Sequence, residues 1–112
     1  KILKNCYNLS MGYMIELNTL LGLPKDFDAT TLVVGQKYTI IKDRERAFPL
    51  HVAILIVDGD WNFYGYAVAH QIIVSDKKTQ IKFEVLSLFT TEEKTLYKNK
   101  FSEAAKQTGE VK

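Results

Sequence analysis

The stretch Leu50-His-Val-Ala-Ile-Leu-Ile-Val57 constrains this chain more than any other, because an extended chain of that sequence is apolar on both faces. A strand of this kind has to be covered on both sides, so the expectation is a central strand within a sheet. It is far shorter than the roughly 18–20 apolar residues that a membrane span needs, and Asp58 ends it. Asp58-Gly59-Asp60 comes next, and a glycine free to adopt positive φ between two turn-forming aspartates marks a tight hairpin.

The flanking segments extend that sheet. A return strand is expected from Trp61 through Gly65 to about Val74, with Gly65 implying a bulge or a close backbone approach. Ser75–Thr79 reads as a second hairpin and Gln80–Phe89 as its returning strand. There Ile81, Phe83, Val85 and Leu88 are apolar while Lys82 and Glu84 alternate with them. The step from Glu84 to Val85-Leu86 breaks period two and marks another bulge. Upstream, Met14–Leu20 alternates imperfectly as a first strand, and Pro24, which lacks an N–H donor, closes it. Residues 25–34 form a connection with one helical turn, and Gly35 opens a β-branched, aromatic strand over Lys37–Lys42. The C-terminal signal is helical. Thr90 with Glu93 is a capping box, Tyr97, Phe101, Ala104 and Ala105 form one apolar stripe, and Gly109 ends the helix near Thr108. The expected fold is mainly β, of the α+β class: a small bent antiparallel or mixed sheet, or a partly closed barrel, with the helix over one opening.

At 112 residues with 46% hydrophobic content, the chain suits one domain with its own core. Met11 and Met14 each offer a natural start. Residues 1–13 are therefore expected to be a leader or non-native extension, 14–108 a single domain, and 109–112 a flexible tail. Cys6 is the sole cysteine, so neither an internal disulfide nor a cysteine-based zinc site can form. One unpaired thiol fits a reducing cytosol, so a cytoplasmic location is expected, with no membrane partner.

The usual catalytic signatures are missing: the sequence holds no Gly-rich phosphate loop, no HExxH and no G-x-S-x-G. His51 and His70 could share a metal with Asp58 or Asp60, but no ligand spacing supports it, and each reads as a strand histidine with one hydrogen bond. A Cys6–His nucleophilic pair would depend on the leader. No catalytic residue, metal ligand or cofactor is assigned on these grounds.

Binding is the better-supported class. Fifteen basic against thirteen acidic residues give a net charge of +2. The pI of about 8.6 lies under the value of about 9 that marks many nucleic-acid modules. Locally, Lys37, Lys42, Arg44 and Arg46 outnumber Asp43 and Glu45. Such a loop can contact phosphates, or it can be a solvated loop whose charges neutralise one another. In Trp61-Asn-Phe-Tyr-Gly-Tyr66, alternation puts Trp61, Phe63 and Gly65 on one face and Asn62, Tyr64 and Tyr66 on the other. Exposed, these rings would stack bases for about 1–3 kcal/mol each; buried, they would fill a core. Lys94, Lys98 and Lys106 among Glu92, Glu93 and Glu103 make a solvated helix face.

The order of motifs is familiar: Met14-Ile-Glu-Leu-Asn-Thr19, Gly35-Gln-Lys-Tyr-Thr-Ile-Ile-Lys42, Arg46-Ala-Phe-Pro-Leu-His-Val52, Gly65-Tyr-Ala-Val68 and Thr79-Gln-Ile-Lys-Phe-Glu-Val-Leu-Ser-Leu88. Over about residues 14–89 the chain resembles a small, uncharacterised bacterial family known as a domain of unknown function. Its strand order, with a central Gly-x-Ala segment, is also similar to the PUA-like barrels, which include the ASCH domains. There a Gly-Lys-Lys-type loop precedes the second strand, and the nearest match in this sequence is Gly35-Gln36-Lys37. The resemblance implies RNA binding; on the reading of the basic loop and aromatic strand, Lys37, Lys42, Arg44 and Arg46 would then meet phosphates and Tyr64 or Tyr66 would stack a base. Two other readings stand beside it. One is a protein-interaction or structural barrel that forms a homodimer or docks a protein partner. The other, implied by a few ASCH-type members, is a small nucleoside-processing hydrolase.

Overall fold

A computed structural model describes residues 16–17 and 19–109. The readings for residues 1–13, for the start of the first strand at Met14 and for the last three residues lie outside the described residues. The elements run β1 (Glu16–Leu17), β2 (Leu20–Gly22), a 3-10 turn (Ala29–Thr31), β3 (Lys37–Asp43), β4 (Arg46–Ala47), β5 (Ala53–Val57), β6 (Phe63–Ser75), β7 (Lys78–Leu88) and α1 (Thr91–Thr108). Five strands form one mixed sheet in the order β2-β5-β6-β7-β3, with β2 parallel to β5 and the other pairs antiparallel. β1 and β4 make a separate parallel pair. The expected class holds: a small mixed sheet with one C-terminal helix.

The sheet is not closed into a barrel, because no ladder joins its edge strands β2 and β3 among the described residues. It curls far enough that Lys42 Nζ on β3 donates to the Gly22 carbonyl on β2 at 2.7 Å. Inside the curl lies the core, built on Leu21, Ile40, Ile54, Ile56, Ala67, Ile81, Phe83 and Val85. Along β7 the alternation expected from the sequence appears directly, with Thr79, Ile81, Phe83 and Val85 buried and Lys78, Lys82 and Leu86 exposed.

β5 does lie inside the sheet, but it is shorter than the apolar run suggests and is not buried throughout. His51 has a positive φ of 62°, which turns the chain out of the strand, and Leu50, His51 and Val52 are exposed. Ala53 is also exposed and Leu55 only half-buried. The second face is covered only towards Val57, where the helix end of the molecule lies.

Three register shifts shape the long β6–β7 hairpin and its β5 neighbour. Tyr64 is an extra residue between Gly65, paired with Ile56, and Phe63, paired with Val57. Leu86 is skipped between Val85 and Ser87, and His70 between Ala69 and Gln71. The shift at Tyr64 revises the simple alternation of Trp61–Tyr66. Tyr64 packs against the main core, whereas the buried Phe63 meets Tyr97 and Phe101 of α1, with ring centroids 6.3 and 5.4 Å away. A bulge thus lets one strand bury residues on both of its faces. Gly65 makes this feasible: at φ 154°, a Cβ there would collide with the Ser87 carbonyl oxygen.

The helix forms as its sequence directs. Thr90 Oγ1 accepts from the Glu93 N–H at 3.2 Å and Glu93 Oε1 from the Thr90 N–H at 2.9 Å, while Gly109 adopts the left-handed C-cap at φ 80°. Tyr97, Phe101 and Ala105 of its expected stripe dock on the start of β6 and the end of β7, whereas Ala104 is exposed. Phe101 lies 4.5 Å from Trp61, Tyr97 stacks on Phe89 at 4.3 Å, and Ala105 is buried.

Candidate nucleic-acid interface

The basic loop read from the sequence is held against a second basic loop. Between β3 and β4, Arg44 takes the left-handed conformation (φ 70°) and its N–H donates to the Lys77 carbonyl at 2.7 Å. Lys77 belongs to the two-residue β6–β7 turn, where Asp76 and Lys77 have φ of 51° and 63°, the signature of a tight hairpin with positive φ at both central residues. The side chain of Thr79 fastens the two loops. Its hydroxyl accepts from the Arg46 N–H at 2.9 Å and donates to the Arg44 carbonyl at 2.8 Å. Thr79 is fully buried, and such a group is tolerated in a core only when its hydrogen bonds are made. Arg46 is half-buried and donates from Nε to the Asp43 carbonyl at 2.7 Å, which closes the turn on itself.

The result is a fastened tip that carries Arg44, Lys77 and Lys78 exposed, with Arg46 half-buried behind them and the Lys42 ammonium turned away to the Gly22 carbonyl on β2. Arg44, Arg46, Lys77 and Lys78 stand with Asp43, Glu45 and Asp76 there, a local excess of one. Lys77, Lys78 and Thr79 were not legible as partners of this loop. They lie more than thirty residues away in sequence, and no local pattern links a strand-terminal threonine to a distant turn.

The other candidate residues are elsewhere. Lys37 starts β3 at its opposite end, exposed and paired in register with Glu84. Tyr64 and Tyr66 lie near the beginning of β6, roughly 30 Å of strand from the tip. Neither is an open stacking platform. Tyr66 meets Phe89 edge-on at 5.8 Å, and Tyr64 donates its hydroxyl to Asp58 at 2.7 Å with Lys94 5.3 Å from its ring. The six residues are thus not one patch: Arg44 and Arg46 gather at the tip, Lys42 reaches across to β2, and the other three do not join them.

Asp58, in the β5–β6 turn, explains the position of Tyr64. Its carboxylate accepts from the Asp60 N–H, the Asn62 N–H, Asn62 Nδ2 and the Tyr64 hydroxyl, all within 2.7–3.0 Å. Burial pushes this carboxyl up, but the hydrogen bonds from Asn62, Tyr64 and Asp60 together outweigh it and hold it below the usual carboxylate range. For Tyr64, burial and the bond to Asp58 push the phenol up to about 12, so it remains a neutral donor. Asp58 is therefore committed to its own turn.

The two histidines, far apart in sequence, come side by side with ring centroids 6.2 Å apart, and His70 Nε2 lies 2.9 Å from Glu84 Oε1. Among the described residues, no group of three His, Cys, Asp or Glu side chains is arranged to hold a metal ion. No helix among them is long and apolar enough to cross a membrane.

No family model matches this chain, and none of the curated proteins does. Among solved structures, it is similar to the protein ytmB from Bacillus subtilis, a structural-genomics target determined by X-ray crystallography. The TM-score is 0.58 at 20% identity, and the likeness covers 72% of this chain and 98% of that one. At this identity the likeness concerns the fold.

Proposed function

We propose that this chain is a non-enzymatic binding module that contacts RNA through its sugar–phosphate backbone at the basic tip. The observation that carries the reading is the convergence of the β3–β4 and β6–β7 turns, which presents Arg44, Lys77 and Lys78 on backbone fastened by Thr79. Backbone fixed before binding loses less freedom when its cations meet phosphates, so the interaction retains more of its electrostatic gain. The aromatic residues of β6 take no part, because their rings are engaged with the helix and with Asp58. The reading therefore departs from base stacking at Tyr64 or Tyr66: contact is to phosphates and is indifferent to sequence.

The test is a titration of isotopically labelled protein with short single-stranded and structured RNA at low salt, followed by backbone amide shifts. Shifts centred on residues 43–46 and 76–79 are expected. Shifts centred on residues 61–66 would restore the stacking model, and no shifts at all would end the RNA reading.

A further inference from the structure

We infer that the outer face of the sheet holds a second binding site, for a small phosphomonoester, in a cleft of about 520 Å³ between β3, β7 and β6. That volume falls in the range of small-ligand pockets, about 300–1,000 Å³. Lys37, Thr39, His70, Gln71 and Lys82 line it. Register places them in two adjacent rows on the face opposite the core. Thr39 and Gln71 both pair with Lys82, and Lys37 pairs with Glu84 beside His70.

Two features set this face apart from an ordinary solvated sheet. The first is the register shift at His70. Ala69 is buried and Ile72 packs on the core, while His70 and Gln71 between them are both exposed and both line the cleft. Strict alternation would turn one of them inward, so the bulge puts two polar side chains on one face, and bulges commonly re-aim side chains in this way at binding sites. The second is the distribution of charge. Of the seven lining residues five are polar, and Lys37, Lys82, Thr39 and Gln71 can donate hydrogen bonds into the cleft. The neighbouring carboxylate, Glu84, is drawn 2.9 Å from His70 Nε2. Lys37 and Lys82 against Glu84 leave a positive cleft, with a hydroxyl and an amide to meet further oxygens. A phosphate group, with its charge and several acceptor oxygens, matches that donor set.

The site is separate from the basic tip, and the two are distinguishable by experiment. Labelled protein is titrated with adenosine 5′-monophosphate and, separately, with inorganic phosphate, to millimolar concentration. Saturable shifts are expected at the amides of residues 37, 39, 70, 71 and 82. A Lys37→Gln/Lys82→Gln variant that keeps the amide positions of Phe63 and Ala105 should bind about tenfold more weakly or worse. Glu84→Gln should bind more tightly, since it removes the opposing charge; a merely structural Glu84 would not produce that gain. Unmoved cleft amides would overturn the inference, as would a Glu84→Gln variant with no gain. Shifts confined to Arg44, Lys77 and Lys78 would also overturn it, and would leave the tip as the phosphate-binding element.

Discussion

Single residues decide how this sheet can carry a helix on one face and a core on the other. Gly65 is the clearest case, because the Ser87 carbonyl occupies the space a side chain would need. Gly65→Ala should destabilise the fold by more than about 1 kcal/mol, read as a lower urea midpoint at unchanged slope. Thr79 is a second such residue. Thr79→Val keeps the shape but takes a hydrogen-bond partner from both the Arg46 N–H and the Arg44 carbonyl, and should cost about 1–3 kcal/mol. Asp58 is a third, and its contribution depends on pH. Its folded-state pKa is depressed below the ordinary 3.8, so the stability it adds is fully present above that value and fades as pH falls through the lower folded value. An acid titration of stability should show this loss in the wild type, whereas Asp58→Asn should be less stable at neutral pH and lose less on acidification. Of these three roles, only that of Gly65 was legible in the sequence, since a glycine within a β-branched strand already signals a bulge or a close approach. Thr79 and Asp58 depend on partners that only the folded chain supplies.

Elements were legible in proportion to how local their causes are. The capping box at Thr90, the stripe from Tyr97 to Ala105 and the Gly109 stop specify α1 within one stretch of chain, and the helix has those bounds. Thr90→Ala should therefore cost about 0.5–2 kcal/mol, measured by thermal or urea unfolding. Both hairpins were legible in place, but the first is not the tight glycine turn expected: residues 58–62 join β5 to β6, and Trp61 rather than Gly59 takes the positive φ, 63°. The parallel pairing of β2 with β5 was not, because more than thirty residues separate the partners and parallel register leaves no turn signal. Nor could sequence alone show that β5 starts only at Ala53. The exit of the chain at His51 is a backbone event, and an apolar run carries no mark of it. The aromatic segment of β6 misled for a related reason: one inserted residue, Tyr64, exchanges the faces that alternation assigns on either side of it.

Across the whole molecule, the surface divides into three regions. The helix occupies the outer face where β6 begins, the cleft occupies the outer face further along, and the basic tip lies where the β6–β7 hairpin turns. Half of the tip was legible as the Lys42–Arg46 segment; the other half, Lys77 and Lys78, came from a distant hairpin. RNA binding at the tip is tested most directly by the affinity of a short single-stranded RNA as a function of salt. The wild type is compared with a variant carrying Arg44→Asn, Lys77→Asn and Lys78→Gln. Asparagine tolerates the positive φ at the first two positions, so charge is removed while the turns are kept. Wild-type binding should be measurable at low salt, and the logarithm of its association constant should fall with the logarithm of salt concentration. The variant should bind more weakly, with a slope shallower by about 0.7 for each phosphate it no longer neutralises. Equal affinity and equal slope in the two proteins, or no binding by the wild type at low salt, would contradict phosphate recognition at the tip.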